Sequence, residues 1–178
     1  MRLQVSEILT LDGVMEAPEQ WVFQYMDQAI GEDVMAALQQ TDAMLFGRKT
    51  FQEMAAAWPG RTGDMADIFN RVPKYVVSSA LRDVTWNNSH VIAGNIEEEV
   101  AKLKAQPGGI LLVQGSADLV RLLAQYHFID EYALHVAPLI LGKGKRLFQE
   151  GDQARLQLAN TKAYKTGMLS LSYQPARQ

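Results

Sequence analysis

The sequence predicts an α/β fold: a mostly parallel central sheet, helices on both faces, and an antiparallel hairpin at the C-terminal end. Two observations lead to it. Strand-like and helix-like segments alternate through residue 137, the order of a parallel sheet built with crossover helices. The chain then closes on two strand-like runs, about 156–165 and 168–174, which flank Thr166 and Gly167 as a hairpin. With 178 residues and 48% hydrophobic content, there is material for one substantial core, so a single domain over 1–178 is expected.

Leu3, Val5, Leu9 and Leu11 share one parity of the first segment, against Gln4, Ser6 and Thr10, as a strand with one buried face requires. Val34, Ala37 and Leu38 recur at helical spacing within 31–41, and 42–47 then reads as a short apolar strand. Thr50 followed by Glu53 forms a capping-box pattern, which predicts a helix from Thr50 that stops before Pro59. A short helix at 64–71 precedes Pro73, and "KYVVSS" at 74–79 reads as a strand ending in two hydroxyls.

Asn95 with Glu98 repeats the capping pattern, and the helix it opens sets Ile96, Val100 and Leu103 on one face. That helix stops at "PGG" and leads into "ILLVQ", a continuous apolar run suited to a strand buried on both faces. Ser116 is expected to cap another helix, with Leu119, Leu122, Leu123 and Tyr126 inward. "EYALHVA" alternates as a strand.

Composition removes several function classes. Seventeen Lys and Arg against twenty Asp and Glu leave a formal charge of −3, so no global positive field exists to hold nucleic acid or an anionic membrane, and any anion site must be local. Cysteine is absent, which excludes disulfides, thiolate metal sites and a cysteine nucleophile. His90, His127 and His135 stand apart without ligand spacing, and no metal is expected. No "GxSxG" elbow occurs. The opening "MRLQVSEILTLDG" carries Glu7 and Asp12, unlike a signal peptide, and no run reaches the roughly 20 apolar residues of a membrane span. A cytoplasmic protein is expected.

Ligands of such sheets bind beyond the carboxyl ends of the strands, where "GRKT", "SS" and "QGSAD" fall. Gly47 permits a tight turn, and the free N–H groups of the helix after it, with Arg48 and Lys49, suit a phosphate. The alternative is a solvated turn. Gly115 and Ser116 repeat the arrangement at the next helix, as an anion site or as ordinary capping, while Ser78 and Ser79 either bond a phosphate or finish a turn. Neither the Rossmann glycine spacing nor "GxxxxGK[ST]" is present.

"LDG", "GRKTF", "PKYVVSSAL", "VQGSADLVRLL" and "DEYALHVAPLILGKGKRLF" follow one another in an order that resembles dihydrofolate-reductase-like proteins. More closely, the chain resembles stand-alone homologues of the C-terminal reductase domain of the bifunctional riboflavin-biosynthesis deaminase/reductase, over roughly residues 2–173. The resemblance implies a dihydrofolate-reductase-like three-layer fold. It also implies a cofactor site: Gly47, Arg48, Lys49 and Thr50 on the diphosphate and adenosine-side phosphate, Ser78 and Ser79 along the adenosine, and Gly115, Ser116 and Ala117 towards the diphosphate and nicotinamide. Arg48 beside a serine hydroxyl favours the 2′-phosphate of NADPH over NADH.

On the substrate side the match thins. Asp12 of "LDG" would lie at the cleft floor or close a turn. The first helix offers Asp27, Glu32 and Asp33 as carboxylates for a proton, with Asp33 carried forward beside His135, which sits on the opposite parity from Leu134. Trp21 covers the nicotinamide or packs its own loop, and Lys143, Lys145 and Arg146 bind a substrate phosphate or face water. The expected activity is NADPH-dependent reduction of a small pteridine- or pyrimidine-like heterocycle. The alternative is a non-catalytic dinucleotide-binding or regulatory module. The resemblance further implies a homodimer that uses the C-terminal strands, where "MLSLSYQ" would otherwise expose a largely uncharged face.

Overall fold

The computed structural model of the protein describes residues 1–176. Eight strands form one sheet in the order β4-β3-β2-β5-β1-β6-β8-β7. They are β1 (Arg2–Thr10), β2 (Thr41–Gly47), β3 (Lys74–Val77), β4 (Ser89–Ile92), β5 (Ile110–Val113), β6 (Glu131–Ala137), β7 (Leu156–Ala163) and β8 (Leu169–Pro175). The first six run parallel, and β8 is antiparallel to both β6 and β7. Five helices pack on the sheet: α1 (Gln28–Leu38), α2 (Arg48–Ala57), α3 (Asp64–Arg71), α4 (Ile96–Ala105) and α5 (Ala117–Gln125).

The period of two along each strand divides the core between the two faces. Leu3, Val5 and Leu9 join Leu45, Leu111, Val113 and Leu134 beneath Val100 and Leu103 of α4 and Leu119, Val120 and Leu123 of α5. Met44, Phe46, Val76 and Leu112 point the other way, to Leu38 of α1, Phe51 of α2, and Ile68 and Phe69 of α3. Side chains buried this fully stabilise the fold by roughly 1.5–3 kcal/mol each. A third cluster, Trp21, Val22, Ile30, Ala137, Tyr164 and Met168, seals the β1–β6–β8 side.

Local signals explain most boundaries. Asn95 caps α4, its side chain accepting from the Glu98 N–H at 3.3 Å, and α3 spans 64–71 as the pattern predicts. Lys74, which opens β3, is wholly buried. Its ammonium donates to the carbonyls of Phe69 and Val72, both at 2.8 Å, and lies over the Trp86 ring, so it terminates α3 from beneath.

Some expectations are corrected. α2 begins at Arg48 with Gly47 as its N-cap, so Thr50 lies inside the first turn and caps nothing. The start of α1 is earlier than 31 because Asp27 accepts from the Ile30 N–H at 2.9 Å. β1 stops at Thr10, which leaves Leu11 beyond the sheet and 64% exposed. The strand expected over 74–79 ends at Val77, Tyr126 is exposed at the end of α5, and β4 was not anticipated.

Candidate active-site cleft

Parallel strands bring their carboxyl ends to one edge, so the turns after β1, β2, β3, β5 and β6 meet there. Between the turns after β2 and β5 lies a cavity of about 210 Å³, lined by Gly47, Arg48, Val77, Ser116, Asp118, Leu119 and Leu122. The N-termini of α2 and α5 both open onto it. The Gly47 N–H donates to the Gly115 carbonyl at 3.1 Å, tying the two turns together.

Both glycines are required by space. A Cβ on Gly47 would stand 2.6 Å from Ser116 Oγ, and one on Gly115 would stand 2.7 Å from Thr50 Oγ1. Gly115 also has φ +60, a backbone that glycine adopts readily, and the peptide to Ser116 is cis. Ser116 is the N-cap of α5 without a side-chain capping bond. Ala117 is buried beneath it.

Arg48 and Lys49 are exposed in the first turn of α2. Arg48 touches Gln52 at 3.3 Å, and among the described residues neither cation is paired with a carboxylate. Asp118, at the mouth of the cavity, is neutralised by Lys145 at 2.6 Å. The cleft therefore keeps the positive charge of Arg48 and two helix N-termini, with Lys49 adjacent in sequence, a combination that attracts an anion. Ser78 closes the turn after β3, its Oγ accepting from the N–H groups of Ala80 and Leu81 at 3.2 and 3.0 Å. Ser79 is exposed beside it.

The substrate-side residues divide into two groups. Asp12 is a latch. Its carboxylate accepts from the Thr10 hydroxyl at 2.6 Å and from the Gly142 and Leu141 N–H groups at 2.9 and 3.2 Å, while Arg146 donates to its carbonyl at 2.9 Å. The Thr10 hydroxyl first, then those backbone groups, hold its carboxyl well below the usual carboxylate range, so a proton donor is the role this geometry favours least. Lys143 stands exposed on the loop that Asp12 anchors. Trp21 is buried, its indole N–H donating to the Glu16 carbonyl at 3.2 Å, and packs its own loop down.

Asp33 and His135 form the second group. Asp33 accepts from Lys162 and, at 2.6 Å, from the Tyr164 hydroxyl. Those two donors hold its carboxyl below the ordinary value. His135 lies between Ile8 and Ser170 in register, and burial pushes its imidazole down against the opposing pull of Asp33. Tyr164, pushed up to about 12 by burial and then by Asp33, stays a neutral donor. Sequence reasoning missed Tyr164, since nothing in the hairpin's alternation marks it as a partner of α1.

Glu7 was missed as well. It sits on the core-facing parity of β1 and accepts from the Gly115 N–H. Among the described residues no three potential metal ligands cluster, and no helix is long and apolar enough to cross a membrane.

Comparison with known proteins follows the same lines. The family model described as the RibD C-terminal domain matches residues 2–170. The uncharacterized protein YyaP of Bacillus subtilis (strain 168) is 29% identical over 181 residues, covering 97% of this chain and 94% of that one. Among solved structures, a putative riboflavin biosynthesis protein from Shewanella sp. PV-4 superposes with a TM-score of 0.79 at 18% identity, covering 99% of this chain and all of that one. A dihydrofolate reductase from Enterococcus faecalis, complexed with NADP(H), superposes with a TM-score of 0.67 at 15% identity, covering 99% and 97%. The fold is dihydrofolate-reductase-like.

Proposed function

The chain belongs to the RibD C-terminal domain family, a family of reductase type, and from that premise we propose that it is an NADPH-dependent reductase of a small pteridine- or pyrimidine-like heterocycle. One observation carries the reading: the N-termini of α2 and α5 open on a single cleft that Arg48 lines without a carboxylate partner among the described residues, with Lys49 exposed next to it in the same turn. Two phosphates joined in a diphosphate match two helix termini side by side. The tight glycine cradle at Gly47 and Gly115 fits close approach of a ligand to the backbone.

When bound, NADPH supplies the hydride. Arg48 is the group suited to grip its 2′-phosphate, since a guanidinium offers paired donors. Backbone N–H groups of the two helix starts orient the diphosphate. Asp33, fixed by Lys162 and Tyr164 and lying in the field of His135, is the group proposed to orient an N–H-bearing heterocycle.

The test is an NADPH titration followed by a screen of NADPH oxidation against pteridines, pyrimidines and related heterocycles. Saturable binding with turnover on one class supports the reading. Binding without turnover on the whole panel favours the alternative of a cofactor-binding module, and absence of NADPH binding overturns both.

A further inference from the structure

Glu7 has a place in the sheet that hydrophobic patterning does not explain. It shares its parity with Leu3, Val5 and Leu9, all buried beneath α4 and α5, so an apolar residue is what the pattern calls for. The ladder between β1 and β5 runs from Arg2 opposite Ile110 to Val5 opposite Val113 and ends there. Continuing that register by two residues would set Glu7 opposite Gly115. The chain after β5 has left the sheet by then, with Gly115 at φ +60, and β1 no longer presents a backbone acceptor to it.

The Glu7 side chain fills that gap. Its Oε1 accepts from the Gly115 N–H, while the Gly115 carbonyl accepts from the Gly47 N–H on the opposite side at 3.1 Å. Both polar groups of Gly115 are thus held, one by β1 through a side chain and one by β2 through its backbone. The clamp fixes where Ser116 and the first N–H groups of α5 point. Resting on the cofactor reading above, we propose that Glu7 is a positioning residue for the cofactor turn, its carboxyl replacing the sheet acceptor that holds Gly115 and thereby the N-terminus of α5.

The charge state suits that role. Burial pushes the Glu7 carboxyl up to about 8, so at neutral pH it is a neutral acid that still accepts a hydrogen bond and adds no negative charge beside an anion site. A glutamine offers the same acceptor oxygen, and a leucine or methionine offers none.

The experiment compares Glu7→Gln with Glu7→Leu, and with Glu7→Met as a second apolar variant of similar length. Two readouts are taken: amide hydrogen exchange at Gly115 and Ser116 in cofactor-free protein, and the NADPH dissociation constant. Loss of this partly buried hydrogen bond predicts Gly115 exchange and the dissociation constant each raised about ten-fold in a folded apolar variant, with Glu7→Gln close to the parent. Apolar variants that fail to fold while Glu7→Gln folds also support the acceptor role. Parent-like Gly115 exchange in a folded apolar variant overturns the proposal, as does a Glu7→Gln variant impaired as much as Glu7→Leu. A parent that does not bind NADPH removes the cofactor reading instead, and the exchange measurement still decides whether Glu7 holds the turn.

Discussion

Gly47 and Ser116 pack so closely that a Cβ on Gly47 would meet Ser116 Oγ at 2.6 Å and the Ser116 backbone nitrogen at 3.1 Å. The backbone at Gly47 is ordinary, with φ −73 and ψ 156, so any residue could adopt it. Space alone demands the glycine. Gly47→Ala should therefore destabilise the cofactor-free protein by roughly 1–3 kcal/mol, as overpacking does, because the turns after β2 and β5 must part. Urea unfolding measures this, and an alanine variant as stable as the parent would show that the two turns are free to separate.

Arg48→Ala should weaken NADPH binding roughly ten-fold or more and NADH much less, because only NADPH carries the additional phosphate that a guanidinium grips. Both dissociation constants are measured at one ionic strength, since the exposed contact is screened by salt. Equal losses for the two cofactors would assign Arg48 to the shared diphosphate.

The helix caps give a paired prediction. Asn95→Ala should cost about 1 kcal/mol, because Asn95 holds the first turn of α4. Thr50→Ala should cost less than half of that, since Gly47 occupies the cap of α2. Thermal or urea denaturation of the two variants separates them. A larger loss for Thr50→Ala would mean that its contact with Gly115 matters more to stability than a cap.

Those two threonine and asparagine positions also show what was legible in the sequence. Both begin a capping-box pattern, yet only Asn95 stands at the N-cap of its helix, whereas α2 is already capped at Gly47 and Thr50 falls inside its first turn. α4 was readable because its apolar spacing and the Asn95 cap agree, α3 because Pro73 marks where it must stop, and β6 because its residues alternate. β4 was not: four residues after the aromatic and polar "WNN" carry too short an alternation to distinguish a strand from a loop, and its pairing with β3 is set by tertiary contact. In the cleft, the cations of α2 and the glycine turns could be read from residue type. The Asp33–Tyr164 contact joins residues 131 positions apart, a separation over which local pattern carries no information. Glu7 did leave a signal, a lone acid on the buried parity of a strand.

Assembly is open to a direct test. β7 forms one edge of the sheet and is exposed along almost its whole length, with Leu158 48% and Leu169 38% accessible on the hairpin. An uncovered edge with apolar side chains favours pairing. We expect a homodimer in light scattering at micromolar concentration, and Leu158→Glu should shift it to monomer. A monomeric parent would remove the C-terminal hairpin as an interface.

The Glu7 carboxyl predicts a pH dependence of stability whose sign can be worked out. Its value in the folded protein is raised to about 8 from an ordinary 4.5, with burial as the cause. Between those values the folded chain keeps a proton that the unfolded chain has released. Stability from this group is therefore complete below the ordinary glutamate range and declines as pH rises, the loss being finished once pH passes the folded value. Other groups titrate in the same interval, so the contribution is isolated by difference. Urea unfolding of the parent and of Glu7→Gln at several pH values from 5 to about 9 should give curves that part steadily, the parent losing stability relative to the glutamine variant as the acid ionises. Curves that stay parallel would mean that Glu7 is already ionised in the folded state and that its bond to Gly115 is made by a carboxylate.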